Sequence, residues 1–203
     1  MTPTRLTGVP LLPEITLYQA DEQARLFDDG YSSERPPPFW AFAWPGGVAL
    51  ARHVLDRPET VRGRRVVDLG SGSGVVAIAA SLAQAQVVRA VDADPAAITA
   101  IERNAAANGA QVEAIPGEAD PVRLADAEVV LVGDAFYTAS VAAAMTKLLS
   151  AAARRGVEVL VGDPGRGFLP RHLLTEVARY DVPVRPALED TGVKPTTIWR
   201  FQR

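Results

Sequence analysis

Along the 203-residue chain the spacing of apolar residues changes character near residue 64. Beyond it, short runs rich in β-branched residues recur at 65–69, 86–91, 111–115, 128–132 and 157–161. Alanine-rich stretches at 74–84, 95–108 and 139–154 alternate with them. Such runs suit strands buried on both faces, and alanine has the highest helix propensity. Strands and helices alternating at this spacing predict parallel βαβ units, an α/β fold with helices on both sheet faces. Right-handed crossovers then make the sheet doubly wound.

Both ends depart from this rhythm. Residues 1–45 hold Pro3, Pro10, Pro13, Pro36, Pro37, Pro38 and Pro45 with scattered charge. They read as an extended, loop-rich N-terminal arm of the domain formed by residues 46–203. The arm closes on Phe39-Trp40-Ala41-Phe42-Ala43-Trp44, where Trp40, Phe42 and Trp44 would share one face of an extended segment. A short helix over 46–55 stops before Pro58. At the other end a helix over 171–180 leads to a weak strand at 182–186, a turn around Gly192 and Pro195, and a last strand at 196–202. A short polar link between two strands favours an antiparallel pair at the sheet edge. Five parallel strands and this pair predict a seven-stranded sheet with an antiparallel C-terminal strand.

Composition narrows the chemistry. The length suits one domain with a single core. The chain has no cysteine, which removes disulfides, thiolate zinc sites and a cysteine nucleophile, and suits a reducing compartment. The net charge of −3 argues against a sequence-independent hold on nucleic acid. Residues 1–13 lack a charged start followed by an apolar run, and no stretch approaches the roughly 18 apolar residues of a membrane span. The expectation is a cytoplasmic monomer with no membrane or nucleic-acid partner and no metal.

The sharpest signal is Val66-Val67-Asp68-Leu69-Gly70-Ser71-Gly72-Ser73-Gly74, a strand running into a glycine loop that opens a helix. Backbone N–H groups at such a helix start favour an electron-rich ligand group, and glycines let the ligand approach. A dinucleotide fingerprint would need glycine where Val75 stands, which disfavours a nicotinamide oxidoreductase. A phosphate loop would need a lysine after the last glycine, and none follows. Asp-x-Gly-x-Gly-x-Gly resembles motif I of the seven-strand methyltransferases, which assigns Asp68, Gly70, Ser71, Gly72 and Gly74 to a nucleoside carrying an amino-acid tail. A binding module that holds such a nucleoside without turnover is the alternative from a different class.

Each following strand ends on an acid. The second ends at Asp92-Ala93-Asp94-Pro95. Asp92 is placed to accept from ribose hydroxyls, while Asp94 reads as the N-cap of the next helix. That helix closes at Asn108-Gly109. After the third strand, Glu118 or Asp120 is placed for an adenine amino group, and either would serve as an exposed loop acid. The fourth runs into Gly133-Asp134-Ala135-Phe136-Tyr137. Asp134 there faces the reacting group or caps the helix starting near Thr138. The fifth ends at Gly162-Asp163-Pro164-Gly165-Arg166, a turn signature whose arginine would clamp an acidic substrate or fix the loop acids.

With these residues and the segments Trp44-Pro45-Gly46-Gly47 and Thr196-Thr197-Ile198-Trp199-Arg200-Phe201-Gln202, the chain resembles the protein-lysine methyltransferases that modify the β subunit of electron transfer flavoprotein. The resemblance implies a Rossmann-like class I methyltransferase fold, S-adenosyl-L-methionine (SAM) as donor and a lysine Nε of a protein partner as acceptor. It implies catalytic roles for Asp134 and Tyr137 in an Asp-x-x-Tyr-like arrangement, with Asp134 orienting the amine and also adjoining the donor. Trp44 falls on the donor side, and Trp40, Phe42, Phe136 and Arg166 on the substrate side. The lack of a mitochondrial targeting segment points to a bacterial relative. The alternative acceptors are a small-molecule amine and a ribosomal protein.

Overall fold

The computed structural model describes residues 3–20, 37–184 and 192–203 of the chain. Its centre is a seven-stranded sheet of β3 (Arg65–Leu69), β4 (Val87–Asp92), β5 (Glu113–Pro116), β6 (Val129–Gly133), β7 (Glu158–Asp163), β8 (Leu174–Pro183) and β9 (Val193–Phe201), ordered β5-β4-β3-β6-β7-β9-β8. The first five run parallel, and β9 pairs antiparallel with both β7 and β8. The chain proceeds outward from β3 to β5, then returns to the other side of β3 as β6. This reversal opens a crevice at the carboxyl ends of β3 and β6, where ligands of doubly wound sheets bind.

Alternate residues of each strand feed two cores. Val66, Val88, Ala90, Val129, Leu131 and Leu160 pack with helices α1 (Pro45–Asp56), α2 (Val75–Leu82) and α3 (Pro95–Ala107). Val67, Leu69, Val130, Val132 and Val161 pack on the opposite face with α4 (Ala139–Arg154). The central strands and all four helices therefore follow the apolar pattern.

The ends do not. The expected loop-rich arm contains an antiparallel hairpin, β1 (Thr4–Val9) and β2 (Leu12–Ala20), turned at Pro10-Leu11 with Leu11 at φ 70°. Of the prolines that read as loop, Pro10 stands in the turn and Pro13 near the start of β2, where a missing N–H is tolerated. Leu12, Ile15 and Leu17 enter the core beside α1 and α2 and hold the hairpin down. Residues 21–36 of the arm lie outside the described residues, as does the 185–186 end of the weak strand.

The expected helix at 171–180 is a single 3-10 turn, Arg171–Leu173, followed by strand β8. Pairing with β9 decides the matter, since strand formation answers to cross-strand packing more than to local propensity. An irregularity between Glu176 and Ala178 shifts the register, so the alternation that would have signalled a strand is broken in the sequence itself.

Candidate active site

The loop leaving β3 carries Gly70, Gly72 and Gly74 at φ 65°, 55° and 83°. At Gly74 a side chain would meet both a left-handed backbone and Ile101 of α3, whose Cα lies 3.4 Å from the position of its Cβ. Gly74 is the N-cap of α2 without a side-chain capping bond, so the first N–H groups of that helix have no side-chain partner from the cap position.

Two acids build the loop. Asp68 is buried, and its Oδ2 accepts from the Ser71 hydroxyl at 2.5 Å and from the Ala77 N–H at 3.2 Å. Burial pushes its carboxyl up to about 7; the two hydrogen bonds offset this in part and Asp92 adds to it. Asp92 accepts from the Gly72 N–H at 2.8 Å through Oδ2 and from the Asp94 N–H through Oδ1, joining the loop to the end of β4. Burial raises its pKa as well. Each oxygen keeps a lone pair for a ligand hydroxyl. Asp94 caps α3 by accepting from Ala96 N–H at 2.8 Å, the structural role read from the sequence.

The third strand separates its two acids. Asp120 accepts from the Arg123 N–H and pairs with its guanidinium at 3.3 Å. Glu118 is exposed, and its charge reaches Tyr137, whose phenol is raised first by burial and then by Asp92 and Glu118.

At the other wall, α1 meets the ends of β6 and β7 backbone to backbone. A Cβ on Gly46 would lie 2.3 Å from the Gly162 carbonyl oxygen, and one on Gly133 2.7 Å from the Gly47 Cα. Asp134 sits in this contact at φ 55°. Its N–H donates to Gly162 O at 3.0 Å, and its Oδ2 accepts from the Gly46 N–H. Oδ1 takes Arg166 Nε at 2.9 Å and Nη2 at 2.8 Å. The side chain is only 9% exposed, and burial pushes it up to about 6 against the lowering pull of Arg166. Asp134 therefore caps the start of α1 from across the fold, where an anion is favoured. The helix after it is capped by Thr138, which accepts from Val141 N–H. The crevice is lined at this point by Gly133, not by Asp134.

Between these walls lies a crevice lined by Phe42, Trp44, Gly47, Asp68, Gly70, Ser71, Gly72, Ser73, Val75, Val76 and Gly133. The sequence-selected Phe42, Trp44, Asp68, Gly70, Ser71 and Gly72 come together here, while Gly74, Asp92 and Glu118 lie outside this lining. Other selected residues do not line it either. Phe39–Ala41 form a 3-10 turn, so Trp40 leaves the shared face and packs with Ala97 and Ala100 of α3. Phe136 is fully buried against α4's side of the sheet and lines no channel. Arg166 is committed to Asp134, the second of its two anticipated roles.

The same turn brings in a residue the alternation had set aside. Phe39 is partly exposed, with its ring 5.8 Å from Trp44 and 6.0 Å from Tyr137, itself 51% exposed. Trp44 Nε1 donates to the Phe39 carbonyl at 2.9 Å, fixing the turn. Phe39, Trp44 and Tyr137 form an aromatic rim, with Arg166 6.0 Å from the Trp44 ring. The glycine contact of residues 46, 133 and 162 was likewise visible only as motifs.

Similarity to known proteins bears on this geometry. A family model for ribosomal protein L11 methyltransferase (PrmA) matches residues 49–152. The electron transfer flavoprotein beta subunit lysine methyltransferase of Xenopus laevis is 37% identical over 213 aligned residues, covering 98% of this chain and 84% of that protein. Its counterpart in Danio rerio is 34% identical, covering 94% and 77%. Among solved structures, a 16S rRNA methyltransferase of T. thermophilus in complex with AdoMet and guanosine superposes with a TM-score of 0.61 at 18% identity, covering all of this chain and 52% of that one. At that identity the likeness concerns the fold.

Proposed function

The chain belongs to the electron transfer flavoprotein beta subunit lysine methyltransferase family, and from that premise we propose that it transfers a methyl group from SAM to lysine amines of electron transfer flavoprotein β subunit. The observation that carries the proposal is the crevice at the carboxyl ends of β3 and β6, closed by the glycine loop and rimmed by aromatic rings.

The residues fit the donor. Asp92 keeps acceptor capacity toward ribose hydroxyls, and Glu118, free of the arginine that holds Asp120, serves the adenine side. Asp68 is a buried carboxyl whose charge burial alone disfavours, and the α-ammonium of an amino-acid tail beside it supplies the opposite charge that favours the carboxylate. Trp44 and Phe42 cover the loop. When bound, the donor supplies an electrophilic methyl on a sulfonium.

The chain's own task is to present a neutral amine in line with it. At a pKa of about 10.4, roughly one lysine in a thousand is neutral near pH 7.4. The rim of Phe39, Trp44 and Tyr137 guides the cationic chain by cation–π contact and strips its water, which favours the neutral amine. Orientation can contribute roughly 7–11 kcal/mol at best. Asp134 is a positioning residue: it locks α1 and Arg166 onto the ends of β6 and β7, and so fixes Gly47, Gly133 and Trp44 around the crevice. The proposal includes action as a cytoplasmic monomer, apart from membranes and nucleic acid, for which the modest net charge of −3 is the support.

The test is incubation of the chain with labelled SAM and an equimolar mixture of purified flavoprotein β subunit and ribosomal protein L11, read by mass spectrometry. Methylated lysine on that subunit is expected. Label on ribosomal protein alone would favour the second reading, which the match at residues 49–152 supports. Label on no protein would leave a small amine as acceptor and overturn the proposal.

A further inference from the structure

Helix α3 carries Asn104 and Asn108, one turn apart, and both are used to hold backbone. Asn108 Oδ1 accepts from the Thr16 N–H at 2.9 Å, and its Nδ2 donates to the Thr16 carbonyl at 2.7 Å. Asn104 is fully buried, and its Oδ1 accepts from the Tyr18 N–H at 2.7 Å. The guanidinium of Arg103 stacks over the Tyr18 ring at 4.1 Å. Through these side chains α3 does for β2 what a neighbouring strand would do.

The two asparagines differ in where the amide nitrogen goes. That of Asn108 returns to the hairpin and to the carbonyl of Asn104. That of Asn104 leaves the hairpin and donates to the Ser73 carbonyl at 2.7 Å, inside the glycine loop. The Ser73–Gly74 peptide is planar, so its carbonyl direction fixes the Gly74 N–H, which donates to Ser71 O at 2.9 Å. Ser71 and Ser73 both line the crevice. Leu12, Ile15 and Leu17 already seat the hairpin in the core, so its attachment does not depend on the Ser73 bond.

We propose that Asn104 is a positioning residue for the donor-binding loop, and that its amide couples docking of the β1–β2 hairpin to donor affinity. The inference rests on the reading of the glycine loop as the donor site. Without the amide, a part-buried N–H on β2 and a buried carbonyl in the loop both lose the bond that Asn104 supplies. Coupling of this kind is reciprocal, so a ligand on the loop must also steady the Tyr18 amide.

The experiment is calorimetric titration with S-adenosylhomocysteine of wild type, Asn104→Ala and Asn108→Ala, each checked for fold by circular dichroism. Asn104→Ala should bind about tenfold more weakly or worse, within the usual range of site coupling, with kcat at saturating donor far less affected. Asn108→Ala should melt earlier yet bind within about threefold of wild type, since its side chain bonds the hairpin and the Asn104 carbonyl but not the glycine loop. Hydrogen exchange in the wild type gives a reading that needs no variant: the homocysteine ligand should slow exchange at Tyr18. Equal affinity in Asn104→Ala, or unchanged exchange at Tyr18 on ligation, overturns the proposal. Failure of the wild type itself to bind sinks instead the donor-site reading beneath it.

Discussion

Single residues decide how closely the walls of the crevice approach. Gly46 and Gly162 face one another so tightly that a Cβ on Gly162 would lie 2.1 Å from the Gly46 carbonyl oxygen. Both obstacles are backbone and cannot rotate away. Gly162→Ala should therefore cost about 1–3 kcal/mol or more, as overpacking does, and lower the melting temperature while separating α1 from β7. Asp134 joins the same contact. Asp134→Asn keeps its shape but weakens the pairing with Arg166 that fixes the donor crevice, so kcat/KM for the donor should fall tenfold or more, about 1.4 kcal/mol. Full activity in that variant would remove Asp134 from the account. Asp68 makes a pH prediction: with a carboxyl near 7, its charge is lost as pH falls through that value, and titration calorimetry should find SAM affinity declining below about pH 7. In Asp68→Asn that decline should vanish.

The legibility of the secondary-structure elements tracks how much of each is fixed locally. The parallel strands are short and buried on both faces, and α3 and α4 are capped by the residues just before them, so composition and caps reveal them. Asp94 illustrates the local kind. Asp94→Ala should cost about 1 kcal/mol in thermal or denaturant unfolding through the lost α3 cap, with donor affinity unchanged. The matching loss of affinity belongs to Asp92→Ala, two residues earlier, which releases Gly72. β8 and the β1–β2 hairpin are the other kind. β8 owes its strand character to β9, and the hairpin, though its two strands pair with each other, is seated by Asn104 and Asn108, far away in sequence.

At the scale of the whole molecule, the sheet reversal between β3 and β6 brings the ends of those two strands together with Phe42, Trp44 and Gly47 around one crevice. Motif position along a doubly wound sheet fixes which strand end a residue occupies. It does not fix side-chain direction, and there the substrate side went astray: Phe136 turned inward, Trp40 turned to α3, and Phe39 took its place on the rim. The buried acids also mark overall stability. Asp68 and Asp134 hold protons more tightly in the fold, near 7 and 6, than their ordinary 3.8 in an unfolded chain. Their contribution is therefore most favourable below about pH 4 and is lost as pH rises from there to about 7. Thermal melts of Asp68→Asn should show a shallower fall over that window than wild type. The central claim is that this crevice is the donor site, and a crystal structure of the chain grown with S-adenosylhomocysteine tests it most directly. Density lying along Gly70, Ser71 and Gly72, with the ribose on Asp92 and Trp44 covering it, is the predicted result; a crevice left vacant while the ligand binds at another surface would contradict the account.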